Sequence, residues 1–174
     1  MSTAPLLQSL FRHKAWANEE LFAEVERLDP ETQATERHAA IRLLNHLFVT
    51  DSIFAAHLVG GSHPYTASNT PETPTLGTLR AAVAELDHWF VDYAATLNAD
   101  ALAEMRAFRF TDGDNGYMSR AEMLAHVITH GSYHRGGIGR ILSAAAITPP
   151  RDLFTAHLHR TEPDRRDHHD NRDH

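Results

Sequence analysis

Apolar residues return every three or four positions in four separate stretches of the chain, a spacing that predicts four amphipathic helices. The first reads from Ala4 to Leu28, with Leu7, Leu10, Ala17, Leu21, Val25 and Leu28 on one stripe. Asp29-Pro30 stops it, because proline disfavours helical backbone in the residue before it. After the polar link ETQATER, the second helix is predicted from Ala39 to Leu58. Ile41, Leu44, Phe48, Ala55 and Leu58 make its main stripe. Leu43, Leu47, Ile53 and Phe54 widen that stripe, so much of the circumference should be buried, and Gly60-Gly61 ends the helix. The third is predicted from Thr78 to Leu97 through Leu79, Val83, Leu86, Phe90, Tyr93 and Leu97. The fourth opens on Ser119-Arg120-Ala121-Glu122, a capping box, and runs to Ala145.

The connections are equally legible. Ser62 to Thr75 holds three prolines among Ser, Thr and Asn and reads as a long loop. From Ala107 to Met118 the helical period fails: Phe108 and Phe110 alternate around Arg109, and Asp112-Gly113 and Asn115-Gly116 are turn dipeptides. A short extended or hairpin-like piece is expected there. Pro149-Pro150 closes the fourth helix, and Arg151 to Leu158 should add one last short helix or strand. Thr161 to His174 is charge and histidine without an apolar residue to bury, so a disordered tail is expected. The expected fold class is therefore all-α, a four-helix bundle over residues 1–160. Its long connection between the second and third helices releases it from a simple up-down-up-down order.

Composition narrows the function. The 174 residues are 42% hydrophobic and suit one domain with a real core. A formal charge of −7 argues against a nucleic-acid-binding surface. No apolar run is long enough to span a bilayer, and the opening residues turn charged too early for a secretory signal. The cytoplasm is the expected compartment. With no cysteine, disulfides, thiolate ligands and a cysteine nucleophile are excluded, and any thiol chemistry must bring its own thiol.

Chemistry concentrates in the fourth helix. In HVITHGSYHRGG, His126, His130 and His134 follow one another at four-residue steps, so neighbouring imidazoles sit one above the other. The inward stripe is predicted as Met123, Val127, His130, His134, Gly137 and Ile141. Buried neutral imidazoles need partners, and a metal ion supplies one for both. His46, in LLNHLFVTD of the second helix, offers a third nitrogen if the two helices face each other. Three histidines and an open position are the layout of a catalytic metal site.

Spacing does not choose between the pairs His126/His130 and His130/His134, and with 14 histidines in the chain some such spacings arise by chance. Histidines at this step are also ordinary surface or core residues. His126, on the flank of the stripe, is either a hydrogen-bond partner of a ligand or packing. His13, His38, His57, His63 and His88 are assigned to structure or solvent. Arg135 reads as structural or exposed and Tyr133 as a buried aromatic. Asp51, five residues after His46, points away from it on a straight helix. Gly131, Gly136, Gly137 and Gly139 read as room for a close neighbouring helix. The histidine-bearing tail reads as a solvated terminus rather than as a metal-collecting tract.

Four segments together resemble a known family. HGSYHRGG is similar to the H-x-x-x-H-R-G signature of the DinB-like family of damage-inducible helical-bundle metalloproteins. LLNHLFVTDSIFAAHLVG resembles that family's second-helix motif, RHKAWANEELF its Trp-Ala-Asn first helix, and PPRDLFTAHL its closing segment. Within the first-helix motif, Trp16 and Asn18 read as packing and capping residues. The resemblance implies a four-helix bundle, a homodimer, and a divalent metal held by His46, His130 and His134. It departs at Gly137, where the family often carries glutamine, so the substrate pocket should differ.

Three neutral histidines suit zinc, nickel, iron or copper, with zinc the default and nickel next. Relatives of the DinB-like family include transferases and isomerases that use low-molecular-weight thiols. The resemblance therefore implies a metal-dependent thiol S-transferase acting on a small-molecule substrate. A non-catalytic metal-binding stress-response protein, a metal-dependent hydrolase and a purely structural bundle are the rivals.

Overall fold

The computed structural model describes residues 3–166. The elements follow in the order α1 (Thr3–Glu26), α2 (Ala34–Val59), α3 (Leu76–Thr96), α4 (Ala99–Ala103), β1 (Met105–Arg109), β2 (Asn115–Ser119), α5 (Arg120–Ala144) and α6 (Phe154–Thr161). The long helices α1, α2, α3 and α5 carry an all-α fold, and the predicted hairpin is an antiparallel pair with Phe108 opposite Gly116. Among the described residues, no helix is long and apolar enough to cross a membrane.

Local chemistry sets the helix ends. The capping box forms as predicted, with the Ser119 side chain accepting from the Glu122 N–H and the Glu122 carboxylate accepting from the Ser119 N–H. Thr75 caps α3 by accepting from the Thr78 N–H, which moves its start slightly earlier than predicted. Asp29 accepts from the N–H groups of Glu31 and Thr32, so the turn before α2 is closed by a side chain. The prediction misplaced the start of α2, which begins at Ala34 rather than Ala39. Its opening turn is mostly exposed, so no apolar stripe announces it. Arg37 in that turn donates to the carbonyls of Glu26 and Leu28, satisfying the end of α1. The short α4 was not foreseen. At the other end, Thr161 closes α6 and Pro163–Arg165 forms an exposed 3₁₀ turn, where a disordered tail had been expected. The rest of that tail lies outside the described residues.

Each long helix packs chiefly on two others: α1 on α3 and α5, and α2 on α3 and α5. Contacts fix the directions. Lys14 and Asn18 of α1 meet Asp87, while Glu19 and Glu26 meet Arg80, so α1 and α3 are antiparallel. Gly131 lies beside Lys14 and Arg135 reaches Asn18, so α1 and α5 are parallel. His46 meets His130 and His134 while the Leu58 carbonyl meets Arg120, so α2 and α5 are antiparallel. It follows that α2 and α3 are parallel, and the order is up, down, down, up. A parallel neighbour can be reached only by a chain that travels back along the helix just completed. That is the physical reason for the long proline-bearing connection between them.

The apolar core falls into two clusters. One gathers Phe11, Phe54, Leu58, Phe90, Leu124 and Val127; the other gathers Leu21, Phe22, Leu44, Leu79, Ile138 and Leu142. Between them lies a charged layer. The Lys14 ammonium sits 2.8 Å from Asp51 and 2.5 Å from Asp87, all three almost fully buried. Asn18 donates to the other Asp87 oxygen at 2.7 Å and accepts from Arg135 at 3.4 Å. The Arg135 Nε donates to Asp152 at 2.7 Å, and Asp152 also lies 3.0 Å from His13 Nε2. Burial would lower the Lys14 pKa, but its two carboxylate neighbours outweigh that and raise it. Burial raises the Asp51 pKa, outweighing the pull of the Lys14 ammonium, and the neighbouring Asp87 charge adds to the rise.

Candidate metal centre

The charged layer fixes how α5 is rotated. Its buried face is Met123, Leu124, Val127, Gly131, Arg135, Ile138 and Leu142. This corrects the predicted inward stripe by about one residue: His130, His134, Gly137 and Ile141 lie on its rim, half-buried. Arg135, a charged residue that a hydropathy pattern would place outside, points inward because Asn18, Ser132 and Asp152 all accept from it. Gly131 makes room for it, since a Cβ there would stand 3.1 Å from the Arg135 guanidinium and 3.6 Å from the Lys14 side chain. At Gly136 the expected close neighbour is missing, because a Cβ there would meet nothing within 4 Å.

With α5 in that phase, His130 and His134 face the flank of α2 that carries His46. The ring centroids are 4.5 Å apart for His130–His134, 4.6 Å for His46–His134 and 5.1 Å for His46–His130. One ring nitrogen from each histidine lies within 4.8 Å of the other two, so the group can hold a metal ion. His126 is not in this group. Its ring stacks on His130 at 5.2 Å and lies tilted against Phe54 at 4.5 Å, which makes it a packing residue between the site and the core.

The returning loop completes the site. His46 Nδ1 is 2.8 Å from the Ser68 carbonyl. A carbonyl only accepts, so Nδ1 carries the proton and a neutral His46 presents a bare Nε2 lone pair. That Nε2 is 3.2 Å from His130 Nε2. The loop is held there by its own bonds. Arg42 donates to the Thr70 carbonyl at 2.8 Å, Asn45 donates to Asn69 and to the Thr70 hydroxyl, and Asn69 returns a bond to the Arg42 carbonyl at 3.0 Å.

The electrostatics favour lone pairs over protons. Burial, helped by the neighbouring imidazoles, lowers the His130 pKa to about 4, and burial lowers His134 as well. His130 Nδ1 is buried with no hydrogen-bond partner among the described residues. Converging neutral imidazoles with a partly unsatisfied donor set fit a divalent cation better than they fit a self-contained polar cluster.

Other expectations fare differently. Asp51 does point away from His46, as its spacing requires, and it serves the charged layer. Tyr133 is 78% exposed, not a buried aromatic, because one residue before His134 the helix faces solvent. Asn18 caps nothing: it lies buried in mid-helix within the charged layer. Trp16 packs on His13 and His157, and His13 is buried against Asp152. Sequence reading missed the role of Ser68 and the Lys14–Asp51–Asp87 cluster, since each depends on partners remote in the chain. The only sequence signal was the charged Lys14 and Asp87 lying on otherwise apolar helix faces.

An all-helical bundle with three histidines meeting across two antiparallel helices is thus the class of protein that fold and site define. The family model of the DinB family matches residues 1–166, and the chain belongs to that family. No curated protein and no solved structure matches it.

Proposed function

We propose that the protein binds one divalent metal ion through His46, His130 and His134 and is a metal-dependent enzyme, specifically a low-molecular-weight-thiol S-transferase. The convergence of three ring nitrogens, with His46 oriented by the Ser68 carbonyl, carries this reading. When bound, a divalent ion in a three-histidine set supplies Lewis-acid chemistry that activates a thiol at neutral pH. The rest is the work of the chain. Ser68 fixes the His46 tautomer, the charged layer holds α5 in the phase that presents His130 and His134, and burial keeps His130 unprotonated. The absence of cysteine is consistent, because the thiol arrives with the cosubstrate.

The test has two stages. Elemental analysis of the purified full chain should give about one equivalent of zinc or nickel, lost in His130→Ala. The metal-loaded protein should then consume small thiols in the presence of electrophiles, and the variant should not. Metal without thiol consumption would favour the non-catalytic reading, ester hydrolysis without a thiol would favour the hydrolase, and no metal would end the proposal. The family resemblance extends the reading to a homodimer, which sedimentation equilibrium checks.

A further inference from the structure

The face of α2 that carries His46 continues, at helical spacing, through Thr50, Ile53, Phe54 and His57. On antiparallel α5, the face that carries His134 and His130 continues through His126. The two faces therefore bound a furrow that starts at the three histidines and runs towards the hairpin. A cavity of about 190 Å³ opens along it. Ile53, Phe54, His57 and His126 line it from the helices, and Phe108 and Phe110 from the hairpin. Thr50, Ser68 and Thr111 complete the wall. Ser68 is the residue whose carbonyl holds His46, Thr50 stands one turn beyond His46, and His126 one turn before His130. None of the three histidines lines the cavity itself; it adjoins them through Thr50 and Ser68, which bond His46, and through His126, which stacks on His130.

Its chemistry is selective. Among the described residues no Asp, Glu, Lys or Arg lines it. Aromatic rings frame it: Phe54 lies 6.0 Å from Phe108, Phe108 stacks on His57 at 4.8 Å, and Phe110 meets Phe108 edge-on at 4.9 Å. Phe108 holds its place because its cross-strand partner is Gly116, where a Cβ would stand 2.3 Å from the ring. The size also fits one kind of occupant. Apolar cavities of about 150 Å³ accept a benzene molecule. Another hollow, of about 420 Å³, lies beside Arg135 and Asp152 along Ser132, Gly136 and Gly139, and shares no lining residue with the furrow.

We propose that this furrow is the substrate-binding subsite and takes a compact, uncharged ring, the apolar end of a small molecule whose reacting end reaches His46, His130 and His134. The ring site stands on the cavity alone, while the reacting end rests on the function proposed above.

Toluene titrated against the full chain, with and without zinc, and followed by saturation-transfer NMR should bind saturably in both states. Thr111→Trp, at an exposed wall position, should weaken toluene at least tenfold and leave the zinc equivalent intact. Phe110→Ala, which trims a ring already 43% exposed, should weaken it several-fold and guards against misfolding of the bulkier variant. On the zinc-loaded protein, benzohydroxamate should bind at least tenfold more tightly than acetohydroxamate, a gap that Thr111→Trp closes. Failure of toluene to saturate, or indifference to both substitutions, would overturn the ring site while metal analysis still stands for the function. Equal affinity of the two hydroxamates would overturn the link between ring and metal. Toluene binding by a protein that holds neither zinc nor nickel would leave the ring site and remove the proposed function.

Discussion

Two polar clusters lie at the same level of the bundle, and they are built on opposite plans. The layer of Lys14, Asn18, Asp51, Asp87 and Arg135 is almost fully buried, and its groups are spent on one another. The cluster of His46, His130 and His134 is half-buried on the rim, with a bare Nε2 on His46 and an unpartnered Nδ1 on His130. A closed network of charges has nothing left to offer a ligand and specifies packing. Converging lone pairs beside an uncharged cavity leave coordination capacity over. Inside one fold, satisfaction of hydrogen bonds separates structure from candidate function better than residue type does, since both clusters consist of polar residues on otherwise apolar helices.

The sharpest way to break this contrast is Lys14→Met. It leaves Asp51 and Asp87 buried without their cation and should destabilise the protein by about 3–5 kcal/mol in urea unfolding. Protein that stays folded in mild conditions should still bind metal, because Arg135 keeps its bonds to Asn18 and Asp152 and with them the phase of α5. A loss of metal with little loss of stability would reverse the roles assigned to the two clusters.

The converse substitution, His134→Ala, should remove the metal equivalent. Its affinity loss should exceed the roughly 10–100-fold typical of a lost outer-shell partner, as read by competition with a chelator. Without metal it should change stability by less than about 1 kcal/mol, because the ring is only half-buried.

Acid should act on the two regions in separate windows. His130 is lowered to about 4 from 6.5, so the unfolded chain binds more protons between those values. Stability of the metal-free protein should therefore fall as pH drops from about 6.5 towards 4, and His130→Ala should flatten that slope. Asp152 is lowered to about 2, where hydrogen bonds and charge from His13 and Arg135 override a burial that would raise it. Its contribution is present above the ordinary carboxylate value of 3.8 and is lost as pH falls through 2, and Asp152→Asn should remove that second loss. Chemical denaturation across pH measures both.

The smallest expected effect is that of Asn45→Ala. It removes two of the bonds that hold Asn69 and Thr70 to α2, leaving those to Arg42, and loosens the Ser68 carbonyl over His46, which should weaken metal binding about tenfold with the fold intact.

How much of this was readable in the chain follows from the range of each interaction. The four long helices, the capping box and the hairpin rest on contacts a few residues apart, so period and turn chemistry announced them. The start of α2 escaped because its opening turn touches mostly solvent and leaves no apolar trace. The rotation of α5 escaped because Arg135 faces inward for the sake of Asn18 and Asp152, far away in the chain. A stripe drawn from hydropathy alone placed His130 and His134 at the centre of the bundle rather than on its rim.

By itself, then, the sequence determined the four long helices, where they stop, the separation of His130 from His134 by one turn, and the family. Only the tertiary structure decided that α2 and α5 run antiparallel with His46 opposite that pair, that the returning loop sets the His46 tautomer, and that an uncharged furrow adjoins them. The reason is physical. Helical period is a property of neighbours along the chain, whereas a coordination set is a property of three nitrogens in space. Their meeting is enforced by a buried ion-pair layer whose members come from α1, α2, α3 and α5.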